Sequence, residues 1–473
     1  MTIPDQVIRA LTQVVGPQWV RQAAATLETY SSDGLPTRKW RPGAVVLPGS
    51  REELIQTIRI LAHHGVPFAP RGAGTGLSGG ALAGSNAVSV VLTRLNRILE
   101  IDVGNRTALV EPGVVNVKLS GATAKHGLYY APDPSSQTAC TLGGNVAENS
   151  GGPHCFKYGV TTNHVNELEV VLPTGQLAHL GSPAGDPWGP DLVGLFVGSE
   201  GMFGIATRIR VRLLPTPAHI ETLLADFTSL REAGHAVSTI VSSGVVPAAL
   251  EMLDHNTVLA LEASIYAAGY PTDAAAVLLV ELDGNDEADV AEEAAKVDGI
   301  IREHGARTVR RATEASERAR LWLGRKKAFG ALGRISPDLV VQDAVVPRTS
   351  LPDVLEEIAE IGRRYGLTVS NVFHAGDGNL HPNINFDARN PAEAELVEAA
   401  SADIMLSCLA VGGSITGEHG VGVDKLRYME SSFDRDTLGA MRTVRRAFDP
   451  HEICNPGKVI PMHACREWKA GGI

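Results

Sequence analysis

The chain has 473 residues, 44% of them hydrophobic and 20% charged, with a formal net charge of −11. That length allows two to four domains with sizeable cores. An acidic balance without a phosphate-neutralising basic tract argues against nucleic acid as a partner. No run of 18 apolar residues exists, which argues against a membrane span. The five cysteines, Cys140, Cys155, Cys408, Cys454 and Cys465, are odd in number and lack CxxC spacing. This fits a reduced, cytoplasmic protein and supplies no ligand set for an iron–sulfur cluster. Met1 to Trp19 lacks the basic start and apolar core of a signal peptide.

Residues 1–40 read as a helical lead-in that ends in a turn-rich stretch. Ser50 and Glu53 then form a capping box. Leu54, Ile58 and Leu61 share one helical face, and Gly65 is the stop. Val66–Ala69, Val88–Leu92 and Ala108–Val110 read as strands. Glu167–Leu172 and Gln176–Leu180 read as a hairpin around Pro173-Thr174-Gly175. From Ile205 to Leu213, apolar residues alternate with Arg208, Arg210 and Arg212, the pattern of a half-buried strand with a basic outer face. Pro215 and Pro217 mark a boundary. Beyond it, Ala276–Leu282 is a buried strand, Asp283–Asp289 an acidic turn, and residues 302–327 are rich in Arg and Lys. Pro352–Tyr365 reads as a helix with Val354, Ile358 and Ile361 on one face and Gly366 as its stop. Thr368–Phe373 is a strand, and Asp449–Pro461 is turn-rich.

Three loops are dense in glycine. The first, Arg71-Gly72-Ala73-Gly74-Thr75-Gly76-Leu77-Ser78-Gly79-Gly80, contains a formal GxGxxG. A dinucleotide fingerprint would open into a helix, whereas Ala81–Asn86 is loop-like and a strand follows, so the Rossmann reading is rejected. No Walker loop is present. Successive glycines can still aim backbone N–H groups at a pyrophosphate. The second loop runs from Pro132-Asp133-Pro134-Ser135 through Thr141-Leu142-Gly143-Gly144-Asn145 to Gly151-Gly152. The third is Gly198-Ser199-Glu200-Gly201-Met202-Phe203-Gly204. Together they suggest a long ligand held mostly by backbone.

A second informative region is Asn371-Val372-Phe373-His374-Ala375-Gly376-Asp377-Gly378-Asn379-Leu380-His381-Pro382-Asn383. The Asp-Gly-Asn turn can fold two imidazoles toward one point. Gly417-Glu418-His419-Gly420 follows some thirty residues later. Two histidines and a carboxylate suit a divalent metal with positions left open for substrate.

The glycine loops resemble FAD-binding domains of the vanillyl-alcohol oxidase type. From about Pro42 to Pro461 the chain is similar to the FAD-linked 2-hydroxy-acid dehydrogenases, the family of bacterial glycolate oxidase and of D-lactate and D-2-hydroxyglutarate dehydrogenases. The resemblance implies an α+β fold, with a two-part FAD-binding domain and a mixed α/β substrate (cap) domain. The expected order is a lead-in over 1–40, the FAD domain over 41–217, the substrate and metal domain over 218–448, and a segment over 449–473 that returns to the flavin. Implied FAD contacts are Arg71, Gly72, Ala73, Gly74, Thr75, Gly76, Ser78, Gly79, Pro132, Asp133, Ser135, Thr141, Gly143, Gly144, Asn145, Gly151, Gly152, Tyr158, Glu200, Gly201, Gly204, Ile205 and Asn455. Some relatives tether FAD through a His in the first loop. Thr75 stands in that neighbourhood, so non-covalent FAD is implied.

The resemblance also implies metal ligation by His374, His381 and Glu418, with Zn first and Mn or Fe as alternatives. His419 becomes the base, Asn383 a substrate contact and Arg325 the clamp for the substrate carboxylate. On its residues alone, Arg325 would be a solvated helical charge amid Lys326 and Lys327. Oxidising a 2-hydroxy acid removes the hydroxyl proton, which imidazole accepts near pH 7, and passes the C2 hydrogen to flavin as hydride. A metal at the hydroxyl would lower its pKa. Relatives that take a dicarboxylate carry an extra lysine near Val340 and Val341, so a small substrate, glycolate first and D-lactate next, is implied. Glu148, Asp343 and Asp377 read as loop or supporting groups. Implied partners are a second flavin subunit and an iron–sulfur subunit, with membrane contact only through them at the inner face. The competing readings are an NADPH-dependent flavin reductase of the cell-wall precursor type, disfavoured by the histidines, a non-catalytic electron-relay subunit, and a D-2-hydroxyglutarate dehydrogenase.

Overall fold

The computed structural model describes residues 3–185, 189–312 and 314–461; Cys465 and the end of the expected returning segment lie outside the described residues. The chain forms two compact units. One comprises residues up to Gly151, Val160–Thr216 and the chain from Glu418 onward. The other comprises Gly152–Gly159 and Pro217–Gly417. Among the described residues no helix is long and apolar enough to cross a membrane.

The first unit has two main sheets. In one, Ala44–Val46, Val88–Val91 and Phe68–Arg71 lie parallel and in that order, buried on both faces as parallel strands require. The helix Arg51–His63 makes the crossover between Ala44–Val46 and Phe68–Arg71. The Ser50 side chain accepts from the Glu53 N–H at 3.1 Å. The Glu53 carboxylate reaches back to the N–H of Gly49 at 2.7 Å, one residue earlier than a standard capping box. The second sheet is antiparallel, in the order Ile98–Asp102, Thr107–Val110, Ile205–Arg212, Val165–Val171, Leu177–Gly181. The expected hairpin is present, with Val171 opposite Leu177. Ile205–Arg212 exposes Arg208 and Arg212 and buries Ile205, Ile209 and Val211. The strand Ile98–Asp102 escaped the sequence pattern, because its burial does not alternate cleanly.

Arg51, at the start of its helix, grips Glu169 on Val165–Val171 through Nε and Nη2 at 2.5 and 2.8 Å, and Thr207 donates to the same carboxylate at 2.6 Å. Burial alone would raise the Glu169 pKa, but these donors hold it down from its usual 4.5 to about 2. A depressed carboxylate pKa stabilises the fold above the unfolded value, and that stability is lost as pH falls through the folded one. Glu169→Gln is therefore expected to cost on the order of 2 kcal/mol at pH 7 and to flatten the pH dependence of stability between about 4.5 and 2. Urea midpoints measured across that range test it; parallel wild-type and variant curves would contradict it.

The second unit is built on one long antiparallel sheet in the order Thr308–Ala312, His219–Phe227, Ala276–Gly284, Ala249–Asp254, Thr368–His374, Asn379–Leu380, Ala344–Val345. Pro382–Phe386 pairs with Thr368–His374 and carries Asp338–Val341 on its other side. Side chains alternate between faces along each strand, so the register decides which residues meet. Leu224, Leu279, Glu251 and His374 stand opposite one another across four strands. Val277, Leu253 and Val372 form the next row. This face is covered by Leu321, Ala328 and Ala331 of the helix Ala315–Leu332 and by Val258 and Leu261 of His255–Glu262. The helices Leu230–Ser242, Glu287–Glu303 and Leu351–Tyr365 pack on the sheet and on one another. Leu351–Tyr365 buries Val354, Ile358 and Ile361 and stops at Gly366, whose φ of 67° is the left-handed cap its sequence announces.

Candidate active site

In the first unit the glycine loops meet. The first leaves the C-terminal end of the parallel strand Phe68–Arg71, the end at which open α/β sheets bind ligands. Gly74 and Gly79 have φ of 72° and 79°, conformations that a side chain would strain. The Cα of Gly72 lies so close to the Thr141 hydroxyl that a Cβ could not fit. Thr141 in turn caps the helix Leu142–Glu148 by accepting from Gly144 N–H at 3.3 Å. Gly201 packs against the Pro70 ring, and Gly204 against the carbonyl of Val171, just before Ile205 opens its strand. Asn455 joins the loops. Its Nδ2 donates to the carbonyls of Gly80 at 3.0 Å and Glu200 at 2.6 Å. Pro132 is held through its carbonyl by Asn116, while Asp133 is half-buried and Ser135 exposed. Gly151 ends the first stretch of this unit, whereas Gly152 and Tyr158 belong to the second, where the Tyr158 hydroxyl donates to Asp283 at 2.7 Å.

These loops also hold buried polar atoms that the chain does not satisfy. Arg71 Nη1, Ser78 Oγ, Asn145 Nδ2, Glu148 Oε2 and Ser199 Oγ have no protein partner among the described residues. Buried groups of this kind are costly unless something bonds to them. Together with a backbone kept bare by glycines, they fit a large polar cofactor.

In the second unit the Asp377-Gly378-Asn379 turn does fold the two imidazoles together. Gly378 has φ 79°, Asp377 accepts from the Asn379 N–H, and the rings of His374 and His381 lie 5.2 Å apart edge to face. A ligand nitrogen of one lies within 4.8 Å of a ligand nitrogen of the other. Each Nδ1 is already held. Glu251 takes that of His374 at 2.7 Å, and the Gln342 carbonyl that of His381 at 3.2 Å. That orients Nε2 as the ligating nitrogen, the arrangement metal-binding histidines use. The two residues therefore fit a divalent metal. Asp343, fully buried, lies 3.8 Å from His381 Nδ1 and accepts from Thr416 and Gly417, the last residue of this unit.

Arg325 corrects its bare sequence reading. It is 1% exposed, not solvated. Its Nε donates to Glu251 at 2.6 Å, so one carboxylate bridges Arg325 and His374. The ion pairs hold the Glu251 carboxyl below its ordinary range despite burial. Arg325 Nη1 has no partner among the described residues. Asn383, fully buried, donates to the carbonyls of Ser370 and His381 and leaves Oδ1 unsatisfied. Val341 stands opposite Asn383 in register. Glu251 was not identified from the sequence. Its only signal is an acid inside the apolar strand Ala249–Asp254.

Glu418 and His419 belong to the first unit. An extended segment would point them to opposite sides, but this one is a series of bends ending at Gly420 with φ 83°. His419 Nε2 accordingly lies 3.9 Å from Glu418 Oε1.

Comparison with known proteins gives the family. Residues 42–181 match the FAD binding domain, and residues 216–459 match the family described as FAD linked oxidases, C-terminal domain. The chain belongs to the FAD-linked oxidase family and is an FAD-dependent oxidoreductase. Among its relatives, glycolate oxidase subunit GlcD of Escherichia coli (strain K12) is 47% identical over 99% of this chain and 94% of that protein. The D-lactate dehydrogenase of Anaerostipes hadrus is 32% identical over 89% and 90%. Of solved structures, p-cresol methylhydroxylase with substrate bound superposes with a TM-score of 0.82 at 17% identity, over 96% of each chain, and shares the two-domain fold.

Proposed function

We propose that the protein oxidises a small 2-hydroxy acid, glycolate first and D-lactate next, to the 2-keto acid. The observation that carries this reading is the bridge Arg325–Glu251–His374. It sets a guanidinium with an unsatisfied Nη1 beside His374, whose ring lies 5.2 Å from that of His381. In this reading Arg325 receives the substrate carboxylate and Asn383 Oδ1 accepts from the substrate. His374 and His381, with Glu418, hold a divalent metal, Zn before Mn or Fe, which when bound polarises the hydroxyl. His419 takes the hydroxyl proton. FAD, when bound, accepts the C2 hydrogen as hydride. Val340 and Val341 offer no second cation, which favours a monocarboxylate over 2-hydroxyglutarate. Residues 41–217 hold the flavin, 218–448 present the substrate groups, and 449–473 return to it. We further propose that the chain works with a second flavin subunit and an iron–sulfur subunit, and meets the membrane only through them.

Anaerobic mixing of the purified flavoprotein with a panel of 2-hydroxy acids tests the reading. Glycolate and D-lactate should bleach the flavin, and 2-hydroxyglutarate should not. A flavin that none of them reduces would favour the electron-relay alternative. Acid precipitation of the same sample should release the chromophore, because Thr75 offers no tether; flavin retained in the pellet would contradict non-covalent binding.

A further inference from the structure

Two buried carboxyl groups of the first unit, Glu148 and Glu200, lie among the glycine loops and meet the segment that carries Glu418 and His419. Glu200 is 4% exposed and adopts φ 49°, a left-handed conformation that is strained for a residue other than glycine. Its carboxylate spans two successive backbone donors, Val421 N–H at 2.6 Å and Gly422 N–H at 2.7 Å. Its own N–H and carbonyl are fixed by Ala147 and Asn455. Glu148 ends the helix Leu142–Glu148 and approaches Glu200 from the other side. A Cβ built on Gly420 would meet Glu148 Oε2 and sit 2.7 Å from Glu200 Oε1. Glu148 Oε2 has no hydrogen-bond partner among the described residues. Two adjacent buried carboxylates cannot both be ionised at low cost.

We propose that the Glu200 carboxylate is a positioning clamp on the Gly420–Gly422 backbone that fixes the direction of Glu418 and His419, and that Glu148 stands against it as a neutral acid. This rests on the function proposed above. The chemistry divides the pair. Glu200, with two charge-assisted bonds, is the better anion. Burial, then Glu200 and Asp33, push the Glu148 carboxyl well above its ordinary range, whereas the Val421 and Gly422 donors limit the rise of Glu200 to about 6. The other charges facing the pair are Asp33, from the N-terminal loop, Lys425, three residues after Gly422, and Lys458, from the returning segment. Glycine is required at 420, since φ 83° and the two carboxyl groups leave a side chain neither conformation nor space.

The test uses the full-length flavoprotein and reads amide hydrogen exchange at Val421 and Gly422 without substrate, beside single-turnover flavin reduction. Glu200→Gln removes the charge from both bonds. It should speed exchange at these two amides roughly tenfold or more, and slow flavin reduction by a similar factor when rates are expressed per bound flavin. Glu148→Gln replaces a neutral acid by a neutral amide and should preserve the protection. Glu200→Asp, which keeps the charge but is one methylene too short to span both N–H groups, should reproduce the loss of protection if Glu200→Gln folds poorly. Unchanged protection in both Glu200→Gln and Glu200→Asp would overturn the clamp. Loss of protection in Glu148→Gln equal to that in Glu200→Gln would overturn the neutral assignment. A wild type that no 2-hydroxy acid reduces would sink the functional reading while leaving the exchange result standing.

Discussion

Replacing His419 by Ala is expected to slow flavin reduction by roughly 10²–10⁴-fold while metal and FAD remain bound, the loss that follows removal of a general base. The argument rests on donor chemistry. His374 and His381 each have Nδ1 held by an acceptor, which readies Nε2 for a metal. His419 Nε2 lies 3.9 Å from Glu418 Oε1, and the proposed reading gives that carboxylate to the metal and leaves His419 to take the proton. His374→Ala and His381→Ala should lose metal as well as rate. Elemental analysis beside anaerobic reduction separates the cases. If His419→Ala loses metal as the other two do, His419 is a fourth ligand and the base lies elsewhere.

The second large effect concerns Arg325 and Glu251 together. Arg325→Lys should cut kcat/KM for the best 2-hydroxy acid by roughly 10- to 100-fold, because an ammonium cannot reproduce the planar fork. FAD content should not change. Removing the positive charge altogether, as in Arg325→Met, is expected to destabilise the protein by about 3–5 kcal/mol, since Glu251 would be a buried charge missing its main partner. Glu251→Gln keeps the shape and tests the bridge itself. Metal affinity should fall roughly 10–100-fold in that variant, although the altered side chain would act on the metal only through His374. Unchanged kcat/KM in Arg325→Lys would remove the substrate clamp and leave Arg325 as a structural partner of Glu251.

What could be read from the sequence was what is written locally. The helix Leu351–Tyr365 shows its buried stripe and its glycine stop, the hairpin around Gly175 shows its turn, and the His374–His381 pair shows the turn that joins its members. Glu251 could not be read in this way. Its partners lie 74 and 123 residues further along; the register of the strand Ala249–Asp254 against Thr368–His374 brings His374 to it, and the helix Ala315–Leu332 packed on that sheet face brings Arg325. Arg325 sits in a run of charges that local pattern assigns to solvent, and its burial comes from the sheet face beneath the helix. Glu148 reads as a loop or supporting acid and Glu200 as a flavin contact, and neither reading shows the grip on Val421 and Gly422, 221 and 222 residues after Glu200.

That return has a consequence for how the protein is made. The strand Phe68–Arg71, from which the first glycine loop departs, is bonded on its outer side by residues close to the end of the described chain: Phe68 N–H donates to the Ile453 carbonyl and Asn455 N–H to that of Phe68. About two hundred residues of a separate compact unit are synthesised in between. Contacts so distant in sequence form late. A nascent chain halted before Ile453 therefore carries all three glycine loops but lacks the segment that bonds the strand from which the first of them departs.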